Sequence, residues 1–386
     1  MSRNDIEHFK YVQMQTSSSN QLKSSRFINM CVANWFLHLY VFSLIPLLYA
    51  QNRQLHGENS MVAWAVVAFA VGMIIPGPFG AHMMECRSRK EVFLKAMVVI
   101  GIFPTIGYVY APHPAWLIVL HGIQGMAFGV AQTALGTTLV NDVLKSKQRD
   151  KGDVIYAWAG RLGIPLGLFL GFLLLHFMTI ESAFWWSLVT CMLSFLVVAQ
   201  TQVPLKAPVK VPLITFDRFF LPKSFPLMLS MFAAPWLMGR VVGNGVAAAT
   251  CLCMALGAFL AFVEQILLRK RLGQQVAVCA GYVLLLLSCI LLAMPGVYST
   301  YMVYVLIGFA VGTVSSRHLI EWILKAEHLS AWYSPKALIC FSWRLSFALG
   351  FVISTLCGMQ TIAYDVTVVA LSMVIYLLFR FRTKAA

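Results

Sequence analysis

Charge is what this sequence has least of. Charged residues fill 11% of 386 positions and only 14 residues are acidic, whereas a soluble domain carries about 25% charged residues. With 60% hydrophobic residues, a water-soluble chain of this size has more apolar surface than it can bury. A glycine–lysine phosphate loop, a zinc-ligand spacing and a nucleophile elbow are also missing, which argues against an ATP-driven pump or a membrane hydrolase. No enzyme, cofactor or metal is expected. No two cysteines share an external loop. Of nine, all but Cys86 lie in apolar runs (Cys31, Cys191, Cys251, Cys253, Cys279, Cys289, Cys340 and Cys357), so they read as small buried hydrophobes rather than disulfides. The first residues, through Ser17, Ser18, Ser19 and Asn20, are polar and lack the short apolar core of a cleavable signal.

What is present in quantity is apolar runs, each near the roughly 20 residues a helix needs to cross a bilayer. Twelve are legible, over about 27–49, 61–84, 92–111, 115–140, 154–178, 182–200, 225–243, 245–268, 275–294, 298–320, 336–358 and 361–380. The seventh is interrupted by Pro226 and Pro235, tolerable at membrane depth where neighbours satisfy the freed carbonyls. The expectation is an all-α polytopic membrane protein. The formal charge of +15 points to topology, not nucleic acid, because its placement alternates. Lysines and arginines crowd the first tail, the segments after runs 2, 4, 6, 8 and 10, and the last residues. Only Arg53 and Arg240 are placed on the other side, with Arg161 and Arg344 inside runs 5 and 11. The positive-inside rule then puts both tails and the central segment in the cytoplasm, as for a multi-pass protein of the plasma (inner) membrane.

Sliding the chain along itself until Gly125 meets Gly308 also aligns Ala127 with Ala310, Gly129 with Gly312, Arg161-Leu162 with Arg344-Leu345 and Leu166-Gly167 with Leu349-Gly350. A matched intramembrane arginine in each half is poorly explained by chance apolar letters. The expected organisation is a tail over 1–26, a six-helix bundle over 27–200, a linker over 201–224 with four prolines, a second bundle over 225–380 and a tail over 381–386. The linker's 216–225 stretch, mixing aromatics with Asp217, Arg218 and Lys223, reads as a short helix on the membrane surface.

Two parallel six-helix repeats are the plan of major facilitator transporters, and the chain resembles that superfamily over nearly its full length. The loop after run 2, AHMMECRSRK, matches the family signature with Glu85 for its aspartate and Arg89-Lys90 kept. Run 4 carries HGIQG, with His121 in an arginine's place and Gln124-Gly125 kept. Run 5 has Gly163, Gly167 and Gly171 at the antiporter-associated spacing without its Gly-Pro pair. The resemblance implies alternating access in two pseudo-symmetric bundles, with Asp142 and Arg149 as partners of the Glu85–Arg89–Lys90 loop.

Charges inside a bilayer cost about 2.5–3.5 kcal/mol or more, so they are candidate functional groups. By the resemblance run 5 faces run 8 and run 2 faces run 11, so bridges Arg161–Glu264 and Arg344–Glu85 are expected to gate one side. Two other readings stand beside this: both arginines hold an anionic substrate through the guanidinium fork, or both bond helix-end carbonyls or snorkel. Asn34 and His38, four apart and so on one helix face, are expected to touch substrate, as are Gln124, Gln132 and Thr133. His121, His38, Glu264 and Glu321 are the titratable candidates for proton coupling. Arg317 and Glu321 are expected to pair with each other. The functional expectation is a monomeric secondary transporter of a small molecule in a lipid bilayer. Proton-coupled efflux of a drug-like or metabolite molecule leads, uptake of a nutrient such as a sugar or organic anion follows, and a non-transporting sensor is third.

Overall fold

The computed structural model describes residues 21–203, 209–215, 225–268, 273–294, 297–325, 333–358 and 362–385. Among these there is no strand. The helices are α1 (Ser25–Gln54), α2 (Asn59–Glu85, broken), α3 (Arg89–Val109), α4 (Ala115–Asp142), α5 (Ser146–Phe177) and α6 (Ile180–Gln200). They continue as α7 (Phe225–Gly243, broken), α8 (Ala248–Leu268), α9 (Gln274–Leu292), α10 (Val297–Lys325), α11 (Tyr333–Cys357) and α12 (Ile362–Ala385). Among the described residues eleven are long and apolar enough to span a membrane, and Ser342–Cys357 of α11 is a shorter apolar helix. The side on which α1 begins and α12 ends is called the near side below, and the opposite one the far side. The expected surface helix over 216–225 falls almost wholly outside the described residues.

Local chemistry sets the helix ends. Ser24 caps α1 by accepting from the Phe27 amide at 3.3 Å, and Thr179 caps α6 by accepting from the Ser182 amide at 3.3 Å. Prolines set the breaks. α7 is interrupted at Phe232, where Pro235 has no N–H to return to the preceding turn. α2 stops at Gly72, passes Pro76 and Pro78 in a short 3₁₀ turn, and resumes at Gly80. Inside α4, Thr133–Leu139 widens into a π-helical turn, a form that concentrates at functional sites.

The repeat is visible as equivalent packing. In the first half α1 packs on α5 and α6, and α4 on α2 and α3; in the second, α7 packs on α11 and α10 on α8 and α9. The matched glycines sit at the matched contacts. A Cβ on Gly167 of α5 would stand 2.7 Å from the Leu39 carbonyl oxygen of α1, and one on Gly350 of α11 would collide with the Trp236 carbonyl of α7. Likewise Gly125 closes α4 onto Phe69 of α2, and Gly308 closes α10 onto Met254 of α8. Small residues let helix backbones approach where lipid removes the hydrophobic drive between them. Gly167→Leu is therefore expected to cost about 1–3 kcal/mol by overpacking and to lower the melting temperature in detergent. Gly273→Ala, with nothing within 4 Å of the added carbon, should leave it unchanged.

The two halves meet along α5–α8 and α2–α11, the pairs expected, and also along α5–α10 and through the π-turn of α4 onto α11.

Candidate functional site

Between the halves a cavity of about 540 Å³ opens on the far side. It is lined by Ile45, Tyr49, Arg53, Phe172, Asn244, Ser354 and Thr355, among others. Arg53 is the single formal charge among its lining residues. Its walls are the far-side turns of α1, α5, α7 and α11, with the starts of α2 and α8.

Toward the membrane centre the cavity ends in stacked aromatic rings. Tyr49 packs on Phe351 with ring centroids 5.9 Å apart; below them Phe42 meets Phe347 at 5.6 Å and Trp343 at 6.3 Å, edge to face. Beneath lies Arg344, only 6% exposed. Its guanidinium carbon stands 4.3 Å from the Phe42 ring centroid, 4.8 Å from Phe128 and 5.6 Å from Phe69. All three rings belong to the opposite half, on α1, α4 and α2. Each aromatic face turns negative potential on the cation, which offsets part of the cost of holding it out of water. A second, small cavity of about 20 Å³ separates Arg344 from His121, with Ile45 and Phe347 also lining it. It has room for about one water, and Ile45 borders both spaces.

Arg161 mirrors this placement from the other half. It reaches from α5 to the Ser315 carbonyl of α10 at 2.9 Å, and its neighbour Trp158 donates to Gln265 of α8 at 2.5 Å. The duplicated arginines thus cross the interface in opposite directions, on the near-side flank of the cavity.

The expected ion pairs are different ones. Among the described residues Glu264 accepts from Arg317 at 3.0 Å and Glu85 accepts from Arg89 at 3.1 Å, in place of the expected Arg161–Glu264 and Arg344–Glu85 bridges. The facing helices are as expected, but a partner within the same half outcompetes the one across the interface. Arg317 and Glu321 do not pair either, because Arg380 and the Tyr376 hydroxyl take Glu321.

The expected polar contacts are bonded to one another and not to the open cavity. The Asn34 amide donates to the Tyr156 carbonyl at 2.9 Å, and Gln132 donates to Asn34 at 2.9 Å, closing a ring among α1, α4 and α5. His38 uses Nδ1 on the Asn34 carbonyl at 2.9 Å. His121 contacts the Tyr108 hydroxyl at 2.9 Å and stacks on Phe69, while Gln124 donates to the Ile100 carbonyl at 2.9 Å and to the Tyr40 hydroxyl at 3.2 Å. None of the five lines the large cavity. Of these, His121 borders the small space shared with Arg344.

The loop between α2 and α3 folds as a charge cluster on the near side. Arg89 grips both oxygens of Asp142 at 2.8 and 2.7 Å, bonds Glu85 and reaches the Met84 carbonyl at 3.0 Å. Lys90 covers the last carbonyls of α6, Ala199 at 2.6 Å and Thr201 at 3.0 Å, a favourable place for a cation. The linker lies across the same helix end, with the Val209 amide donating to the Glu85 carbonyl at 2.9 Å. Asp142→Ala removes the carboxylate that Arg89, 9% exposed, holds by both oxygens, and leaves it Glu85 at 3.1 Å. A loss of about 1.5–3 kcal/mol is expected, read as a fall in melting temperature that Asp142→Glu partly reverses.

One buried pair escaped the sequence reading. Arg240 of α7 and Asp365 of α12 are 0% and 1% exposed, and the guanidinium Nε donates to Asp365 Oδ1 at 2.8 Å. Trp236 Nε1 donates to the same oxygen at 2.9 Å, and Arg240 also bonds the Gly358 carbonyl at 3.0 Å. Arg240 was counted as a far-side loop charge, although it and Asp365 both lie inside apolar runs. A census of charges within the runs would have found them.

Residues 30–317 match the family model described as Major Facilitator Superfamily. The chain belongs to the Major Facilitator Superfamily. No curated protein sequence matches it. Its fold is similar to a solved structure, the human organic anion transporter MFSD10 (TETRAN), with a TM-score of 0.63 at 15% identity over 94% of this chain and 99% of that one. As a member of the Major Facilitator Superfamily, this protein is a secondary transporter, multi-pass in a membrane, that moves a small molecule between two half-bundles. The glycines of α5 have a plain role in it: Gly163, Gly167 and Gly171 bring α5 against the backbone of α1.

Proposed function

We propose that the protein is a proton-coupled carrier of small organic anions, working with its near side in the cytoplasm of a plasma (inner) membrane. The observation that carries this reading is Arg344, a buried cation reaching across the interface beneath the aromatic rings that end the cavity, with no acid among the residues that line the cavity or the small space that Arg344 borders. A guanidinium offers carboxylate and phosphate a planar fork. An anion descending past Tyr49 and Phe351 meets Arg53 at the mouth and Arg344 at the floor, and aromatic rings accommodate its apolar body. The similarity to an organic anion transporter supports the same substrate class. The near-side orientation rests on the lysine and arginine distribution.

In the conformation described, the near side is closed by Arg161 on Ser315, Trp158 on Gln265 and the π-turn of α4 on α11. Opening inward requires those contacts to part and the far-side turns to close over the anion. His121 shares the small space with Arg344.

The test is flux in liposomes of purified protein under an imposed pH gradient, against a panel of mono- and dicarboxylates, phosphate esters, neutral sugars and organic cations. Saturable anion flux that follows the gradient is expected, its direction distinguishing uptake from efflux. Flux of only neutral or cationic solutes, or none of any class, overturns the proposal, and the last outcome favours a sensor.

A further inference from the structure

We propose that a groove where α2, α3 and α4 meet binds an anionic phospholipid, with its phosphate between Arg87 and Lys95 and one acyl chain along the groove. The site is separate from the transport path and stands whether or not the carried molecule is an anion.

The groove has a volume of about 400 Å³ and shares no lining residue with the cavity between the halves. Ile75 and Ile123, which line it, are 54% and 37% exposed. Val98 and Val119, on α3 and α4, are exposed as well. In a chain that spans a membrane such a surface faces acyl chains, so the groove opens sideways into the bilayer. The break in α2 helps to form it, since Ile75 and Pro76 lie in the turn between the two helical pieces.

Each helix contributes one face. Met83 and Arg87 of α2 are four residues apart, as are Lys95 and Val99 of α3, and Ile123 and Val130 of α4 are seven apart, spacings that keep each pair on one side of its helix. α2 ends and α3 begins on the near side. Arg87 and Lys95 therefore stand at the near-side end, with Val99 and Ile123 deeper in the membrane. From Val130 to Ile123 the groove follows two turns of α4, about 10 Å. One leaflet supplies about 15 Å of hydrocarbon, so an acyl chain covers this depth.

The charges suit a phosphate. Arg87 and Lys95 are the two formal charges among the lining residues. Lys95 pairs with Glu91 at 2.6 Å, the two side chains being 69% and 58% exposed. A pair so exposed contributes little, so a phosphate can replace Glu91 at the lysine. Arg87, also exposed, lies within electrostatic reach of the same carboxylate. Two cations against one acid leave one net positive charge, which the single negative charge of a phosphodiester balances. A choline headgroup brings a cation of its own and loses that balance. Basic pockets between membrane helices recognise anionic headgroups by this chemistry, and the guanidinium adds its planar fork.

Native mass spectrometry of the purified full chain, titrated with phosphatidylglycerol, phosphatidylcholine or inorganic phosphate, reads the binding. The wild type should retain phosphatidylglycerol in preference to phosphatidylcholine. Replacing both cations, Arg87→Gln with Lys95→Gln, should weaken phosphatidylglycerol about 30-fold and leave phosphatidylcholine unchanged. Lys147→Gln, at an exposed near-side position outside the groove, should change neither. Ile123→Trp adds bulk at an exposed groove position, so it should weaken phosphatidylglycerol with both cations in place. Equal retention of the two lipids by the wild type would overturn the proposal. So would a loss in Lys147→Gln as large as in the double variant, or an unchanged affinity in Ile123→Trp. Displacement of the lipid by inorganic phosphate would make this a free-anion site and overturn it too.

Discussion

Arg344→Gln is expected to cut gradient-driven anion flux about 100-fold, equivalent to roughly 2.8 kcal/mol at 1.4 kcal/mol per tenfold. The side chain borders the small space beneath the cavity, and three rings of the opposite half surround it at 4.3 to 5.6 Å. A desolvated cation–π contact is worth about 2 kcal/mol, and an anion bound there adds charge-assisted hydrogen bonds. Arg344→Lys keeps the charge but loses the fork and the planar stacking, so it should recover only part of the rate, with a raised KM. Initial rates against substrate concentration, beside melting temperatures, separate binding from folding. A variant that melts normally and transports at the wild-type rate would remove Arg344 from the anion path.

The second large effect belongs to Arg240 and Asp365. Asp365→Ala leaves a fully buried guanidinium without its counter-ion, and a loss of about 3–5 kcal/mol in stability is expected. Asp365→Asn should lose less than Asp365→Ala, because a carboxamide oxygen preserves the bonds from Arg240 and Trp236 although it removes the counter-charge. The double replacement Arg240→Met with Asp365→Leu should return most of the stability, since hydrophobic isosteres commonly match a buried pair. Thermal unfolding of the four proteins in one detergent checks the order. Equal losses for Asp365→Ala and Asp365→Asn would show that the carboxylate's charge, and not the hydrogen bonds it accepts, is what the pair contributes.

The architecture was legible in the sequence because a bilayer leaves few options: twelve apolar runs and alternating lysine and arginine fix helices and order without side-chain detail. The repeat was legible because close helix contacts demand glycine, and Gly125, Gly167, Gly308 and Gly350 mark the same contacts twice. The Arg89–Asp142 clamp was also legible, through the resemblance of its loop. Partner choice was not. Whether Glu264 meets Arg161 or Arg317 depends on the rotation of α8 by a fraction of a turn, and long side chains reach several neighbours. Arg344 has aromatic rings around it, since Phe42, Phe69 and Phe128 converge from three helices that no spacing rule relates. The cavity was placed too near Asn34 and Gln132, polar groups that satisfy each other inside the first half. An unpaired polar side chain in an apolar helix reads as a site until its partner is seen.

The account stands on the two halves exposing one cavity to alternate sides. With the native cysteines replaced, single cysteines at Asn244, exposed in the far-side cavity, and at Gln132, bonded to Asn34 within the first half, can be labelled with a membrane-impermeant maleimide from either side of sealed vesicles. Asn244→Cys should react from the far side at rest and lose reactivity when a transported anion is added under a pH gradient, while Gln132→Cys gains reactivity from the near side in step. Two rates that stay fixed, or that rise together, would contradict alternating access.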